Sequence, residues 1–184
     1  GPRKRRDLWK WVFSGPIRAQ FTSGGEQHAA RALKAAIASG DFAEGAPTPV
    51  ALVGAGPGCS DLITLRGVQR LQEADVIFYD RLVDPGVLEL ARRDAERVFV
   101  GKHVGAHAWP QDRINRMIVA EAASGRRVVR LKSGDPGIFG RAGEEIDAAR
   151  AAGIPIEVVP GVTAASAAGA SLGRSLTGRG GANT

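Results

Sequence analysis

The chain predicts an α/β fold: a mostly parallel, helix-covered sheet preceded by a short helical segment. Three observations carry this. From Val50 onward, five short apolar runs rich in β-branched residues alternate with helical patterns. Three of those runs stop abruptly at small, bend-prone residues, and residues 1–45 read as helical throughout. Alternating strands and helices are the signature of a sheet whose crossovers cover its faces. With 184 residues, the chain is long enough for one medium domain and an appendage.

Taken in order, a first helix is expected to end near Ser14-Gly15-Pro16, where glycine and proline stop it. A second fits Glu26 to Ser39, with Ala30, Leu33, Ile37 and Ala38 at helical spacing and Gly40 closing it. Two short helices bury little surface alone, so they need the rest of the chain or a second subunit. Gly45-Ala46-Pro47-Thr48-Pro49 reads as a linker dividing residues 1–48 from 49–184. Strands then fall near 50–53, 76–79, 97–100, 127–131 and 156–159, and helices near 61–73, 85–92, 111–124, 141–152 and 163–171. Asp84 before Pro85 is a ready N-cap with proline at the first helical position, and Gly125 and Gly153 follow helix ends. Residues 171–184 offer no final strand, and the chain is expected to be cut there rather than finished.

Composition narrows the function classes. The net charge of +6 is uneven: residues 1–48 carry eight Lys/Arg against four Asp/Glu, the remainder seventeen against fifteen. A nucleic-acid reading therefore leans on Arg3 to Arg6 beside Trp9 and Trp11 alone. An amphipathic helix packing Leu8, Trp11 and Val12 on a neighbour is the plainer account, and no nucleic-acid partner is expected. No apolar run approaches the ~20 residues that cross a bilayer, and the basic N-terminus leads into no signal-peptide segment. Cys59 is the single cysteine. The chain is expected to be soluble and cytoplasmic, with no membrane partner.

The motifs that carry chemistry lie where strands end. Val128 to Lys132 breaks at Ser133-Gly134-Asp135-Pro136, Val50 to Val53 at Gly54-Ala55-Gly56-Pro57-Gly58, and Val158-Val159 at Pro160-Gly161-Val162-Thr163. Such exits leave unpaired backbone groups facing a crevice, and three of them suggest a composite pocket gripped by main chain. The Gly54–Cys59 run is not a dinucleotide fingerprint, because Cys59 stands where close helix packing needs glycine. Pro57 also removes an N–H, which suits a tight turn or a neutral or cationic ligand better than a phosphate. Asp80 ends the strand Val76-Ile77-Phe78-Tyr79, a position where α/β pockets form; an ordinary turn pair with Arg81 is the alternative. Lys102 follows Val98-Phe99-Val100-Gly101 in the same manner. His103 and His107 share a glycine-rich loop without a cysteine partner or His-Glu spacing, so no metal is expected.

At these residues the chain resembles the uroporphyrinogen-III C-methyltransferases of the tetrapyrrole methylase family. The matching runs are Val-Gly-Ala-Gly-Pro-Gly (53–58), Tyr-Asp-Arg-Leu-Val (79–83), Val-Gly-Lys (100–102), and Gly105 with His107, Gln111, Ile114 and Asn115. Gly-Asp-Pro (134–136), Ile-Phe-Gly-Arg (138–141), Gly-Glu-Glu (143–145) and Val-Val-Pro-Gly-Val-Thr-Ala-Ala (158–165) follow in the family's order. Residues 1–45 resemble the dimerising helical segment that precedes the methylase in the fused, multifunctional sirohaem synthases. The resemblance implies S-adenosyl-L-methionine as methyl donor, a small-molecule tetrapyrrole as acceptor, and a homodimer. It implies Asp80 as proton acceptor and Lys102 as proton donor. Pro57, Ser133, Gly134, Asp135, Ile138, Thr163 and Ala164 would line the donor site, with Arg81 and His107 as substrate contacts.

Three departures from the family's pattern stand out: Ser133 for a usual glycine, Gly137 for a usual phenylalanine, and Gly178 within Leu176-Thr177-Gly178-Arg179, where histidine is common. Ser133 is tolerable if its φ stays negative. The family's second domain is expected to be missing, leaving the 184-residue piece inactive or nearly so alone. The alternatives are a sibling methylase acting on another tetrapyrrole or on RNA, and a non-catalytic fragment that only dimerises.

Overall fold

The computed structural model describes residues 8, 9, 12, 25–39, 48–101, 109–138 and 140–177. The chain divides into two compact units, Gly1–Ala46 and Pro47–Thr184. In the first, Leu8, Trp9 and Val12 are helical and helix α1 spans Glu26–Ser39. Ala29 is buried while Trp9 and Ile37 are exposed, at 49% and 54%. The expected stop at 14–16, Gly40 and most of the linker lie outside the described residues.

In the second unit, five strands alternate with helices: β1 Val50–Gly54, α2 Leu65–Glu73, β2 Val76–Tyr79, α3 Pro85–Glu89, β3 Glu96–Phe99, α4 Gln111–Ala123, β4 Val128–Lys132, α5 Ala142–Ala151, β5 Ile156–Val159 and α6 Ala164–Ser171. The strands form one sheet in the order β3-β2-β4-β1-β5, every neighbouring pair parallel. The register places Gly54 beside Lys132, Val53 beside Val159 and Tyr79 beside Leu131.

Side chains alternate across the sheet, as the two-residue period of a strand requires. Ala51, Val53, Ile77, Val129 and Leu131 pack with Leu71 of α2 and Val87 and Leu88 of α3. Val50, Val76, Phe78 and Val128 turn to the opposite layer, against Ile114 and Ile118 of α4 and Ala149 of α5. The chain thus leaves β1 for a helix on one face and leaves the adjacent β4 for a helix on the other. That divergence makes a crevice between the ends of β1 and β4, the topological switch point of an open α/β sheet.

Helix boundaries follow local chemistry. The helix expected from residue 61 begins at Leu65 because Thr64 caps it, its hydroxyl accepting the Gly67 N–H at 3.1 Å; Ser60–Leu62 form a separate 3₁₀ turn. Asp84 caps α3 through the Gly86 N–H at 2.7 Å, and α3 ends at Glu89, shorter than expected. Gly125 and Gly153 have φ of 79° and 68°, the left-handed conformation that closes α4 and α5.

Candidate active site

Because β4, β1 and β5 are adjacent and parallel, the turns at 55–59, 133–138 and 160–163 leave the same carboxyl edge of the sheet, and they meet. Gly134 donates to the Gly56 carbonyl at 2.8 Å and accepts from the Gly56 N–H at 3.2 Å, and the Ala55 N–H donates to the Lys132 carbonyl at 2.7 Å. Asp135 completes the junction. One carboxylate oxygen accepts the Gly137 N–H at 2.8 Å, and the other accepts the Gly161 N–H at 2.9 Å. A Cβ at Gly54 would lie 2.6 Å from both the Gly134 oxygen and the Gly161 nitrogen, so the three turns close only around glycine.

The expectation of unpaired main-chain groups needs revision at these positions. Gly56, Gly134 and Gly161 spend their amides on one another and on Asp135, so much of the main chain joins turn to turn rather than awaiting a ligand. Open space remains beside them. A Cβ at Gly58 (φ 125°) or Gly134 (φ 68°) would meet nothing within 4 Å. Pro57, Ser133 and Asp135 are half-buried around this space, Ile138 is 53% exposed, and Thr163 caps α6 by accepting the Ser166 N–H at 3.2 Å, with Ala164 exposed beside it. Ser133 keeps a negative φ: among the described residues Arg141, at 51°, is the sole non-glycine in the left-handed region. Gly137 is exposed, its amide held by Asp135.

Asp80 follows β2 at the same edge. Its partner is not Arg81, which is exposed, but Arg130, whose Nη2 lies 2.8 Å from both carboxylate oxygens. Arg130 Nε donates to Glu145 at 2.9 Å and Nη1 to the carbonyls of Leu131 (3.0 Å) and Phe78 (3.4 Å). The Lys132 ammonium is 3.1 Å from both oxygens of Glu145, and Gln111 donates to Glu145 at 3.2 Å. Burial opposes the charge on Arg130, but Glu145 and Asp80 outweigh it and hold the guanidinium above its ordinary pKa. Burial, reinforced by Arg130, lowers the pKa of the Lys132 ammonium.

Sequence reading missed Arg130, Lys132 and Glu145 as a set. The available signal was two cations on a central strand, since Arg130 and Lys132 share the face that packs on α4 and α5. Lys102, His103 and His107 lie outside the described residues. Among the described residues no group of His, Cys, Asp and Glu could hold a metal ion, and no helix is long and apolar enough to cross a membrane.

Residues 49–184 match the family model of the tetrapyrrole (corrin/porphyrin) methylases, and residues 1–37 match that of the sirohaem synthase dimerisation region. The siroheme synthase of Azotobacter vinelandii is 54% identical over 177 residues, covering 96% of this chain and 38% of that protein. The chain therefore spans well under half the length of the curated relatives it matches. The uroporphyrin-III C-methyltransferase of Thermus thermophilus superposes with a TM-score of 0.65 at 48% identity, over 73% of this chain and 57% of that one. The same enzyme complexed with S-adenosylhomocysteine gives 0.62 at 48% identity, over 74% and 56%.

Proposed function

The chain belongs to the tetrapyrrole methylase family, and from that membership we propose that it serves S-adenosylmethionine-dependent C-methylation of uroporphyrinogen III to precorrin-2. The observation that carries this reading is the convergence of the turns after β1, β4 and β5 at one crevice, with Asp80 on the same edge. The residues we assign to the donor site suit such a donor: Pro57, Ser133, Gly134, Thr163 and Ala164 are small and uncharged, and Ile138 is apolar. Asp135 supports it at one remove by locking two turns together.

A sulfonium donor supplies an already activated methyl group. What remains for the protein is to hold a pyrrole carbon in line and to move one proton. Asp80 is our candidate proton acceptor and Lys102 our candidate donor, with Arg81 and His107 meeting the acceptor's carboxylates. We read residues 49–184 as the N-terminal domain of such a methylase in a longer sirohaem synthase, and residues 1–48 as its dimerising segment. The match of residues 1–37 to the sirohaem synthase dimerisation region supports a homodimer. The lone Cys59 suits a reducing cytoplasm.

Calorimetry with S-adenosylhomocysteine, followed by methyl transfer to uroporphyrinogen III in the full-length protein, tests the reading. Binding without transfer to uroporphyrinogen III, but with transfer to another tetrapyrrole or to RNA, would redirect it to a sibling activity. Absence of binding in the full-length protein would remove it.

A further inference from the structure

β4 occupies the centre of the sheet, yet Arg130 and Lys132 on it are charged and buried, at 2% and 6% exposure, beside Glu145 at 4%. Buried ion pairs add little stability over well-packed apolar side chains of equal volume, because desolvation consumes most of the attraction. What such a cluster can supply is a fixed position. This one has a direction. At its inner end Lys132 and Gln111 hold Glu145, and Glu145 holds Arg130 at 2.9 Å. The carbonyls of Phe78 and Leu131 engage Nη1 and stop the guanidinium from swinging. That leaves Nη2 to reach the half-exposed Asp80.

We propose that Arg130 is a positioning residue, fixing the Asp80 carboxylate against the turns at the β1/β4 crevice, and that Glu145 fixes Arg130 from α5. Glu145 lies on α5, the next helix after the 133–138 turn, and through Arg130 its carboxylate links that helix to Asp80. This inference rests on Asp80 acting on the methyl acceptor as proposed above.

Arg130→Lys keeps the charge and loses the fork. In the full-length protein it is expected to lower kcat for methyl transfer about 10-fold or more, since small misplacements are costly in a near-attack geometry. KM for uroporphyrinogen III and affinity for S-adenosylhomocysteine should stay within about 2-fold, because neither contact is removed. Acting through Asp80, Arg130→Lys should add no further loss to Asp80→Asn. The isosteric Glu145→Gln should give a smaller loss, again confined to kcat. Multiplicative losses, an unchanged kcat, or a collapse of S-adenosylhomocysteine affinity in both Arg130→Lys and Glu145→Gln would overturn the proposal. Independently of turnover, the Arg130 Nη2 protons should exchange slowly by NMR and lose that protection in Asp80→Asn. Equal protection in the two proteins would overturn the clamp. Protected Nη2 protons in a wild-type protein that transfers no methyl group would instead overturn the methylase reading, and with it the catalytic half of this proposal.

Discussion

Two single residues, Gly54 and Asp135, bear most directly on how the turns close. Gly54→Ala places a Cβ 2.6 Å from main chain of two other turns, which cannot retreat as a flexible side chain would. The expected loss is at the upper end of the ~1–3 kcal/mol range for overpacking, read from the urea midpoint. Asp135→Asn retains one accepting oxygen and points an NH₂ at the second amide. It should cost about 1–3 kcal/mol and weaken S-adenosylhomocysteine binding in calorimetry, because the 133–138 and 160–163 turns would no longer be tied. The strand ends that carry these turns were legible in the sequence, since a β-branched run that halts at glycine marks where a strand stops. The Arg130–Glu145 cluster was not. Charges alternating along a strand ordinarily mean a face in water, and only the arrival of α5 over β4 converts them into buried partners. Asp80 was singled out by its place after β2, whereas its ion-pair partner, Arg130, lies 50 residues away in sequence.

Between elements, the clearest fastening joins β5 to α2. Arg70 Nε donates to one oxygen of Glu157 at 2.6 Å and Nη2 to the other at 3.2 Å. The hydrogen bond from Arg70 outweighs burial and holds the Glu157 carboxyl below its usual range. A carboxyl depressed in the folded state contributes stability above its unfolded pKa, near 4.3, and loses it as pH falls through the folded value. Wild type should therefore lose more stability than Glu157→Gln between about pH 6 and about pH 3, measured by thermal unfolding at each pH. Existence and type of the five strands and their helices were readable from periodicity, and the start of α3 from Asp84; α2 begins four residues later than its pattern suggested, because Thr64 caps it. The shortening of α3 was not signalled, because Leu90 and Ala91 continue its apolar pattern.

For the whole chain, composition shift and linker chemistry separated residues 1–48 from the rest, and the compact units divide between Ala46 and Pro47. Removing residues 1–48 is expected to convert a dimer to a monomer in sedimentation while leaving S-adenosylhomocysteine binding unchanged. An unaltered mass would count against a dimerising role. Strand order was the least legible property: alternation announces a parallel sheet but not which strands are neighbours. That order bears on biogenesis. β1 leaves the ribosome well before either strand that flanks it, since β4 and β5 begin only at Val128 and Ile156. At translation rates of roughly 5–20 residues per second, an oily ribbon with two bare edges waits several seconds for its first companion. Nascent-chain holdases would be its natural guardians.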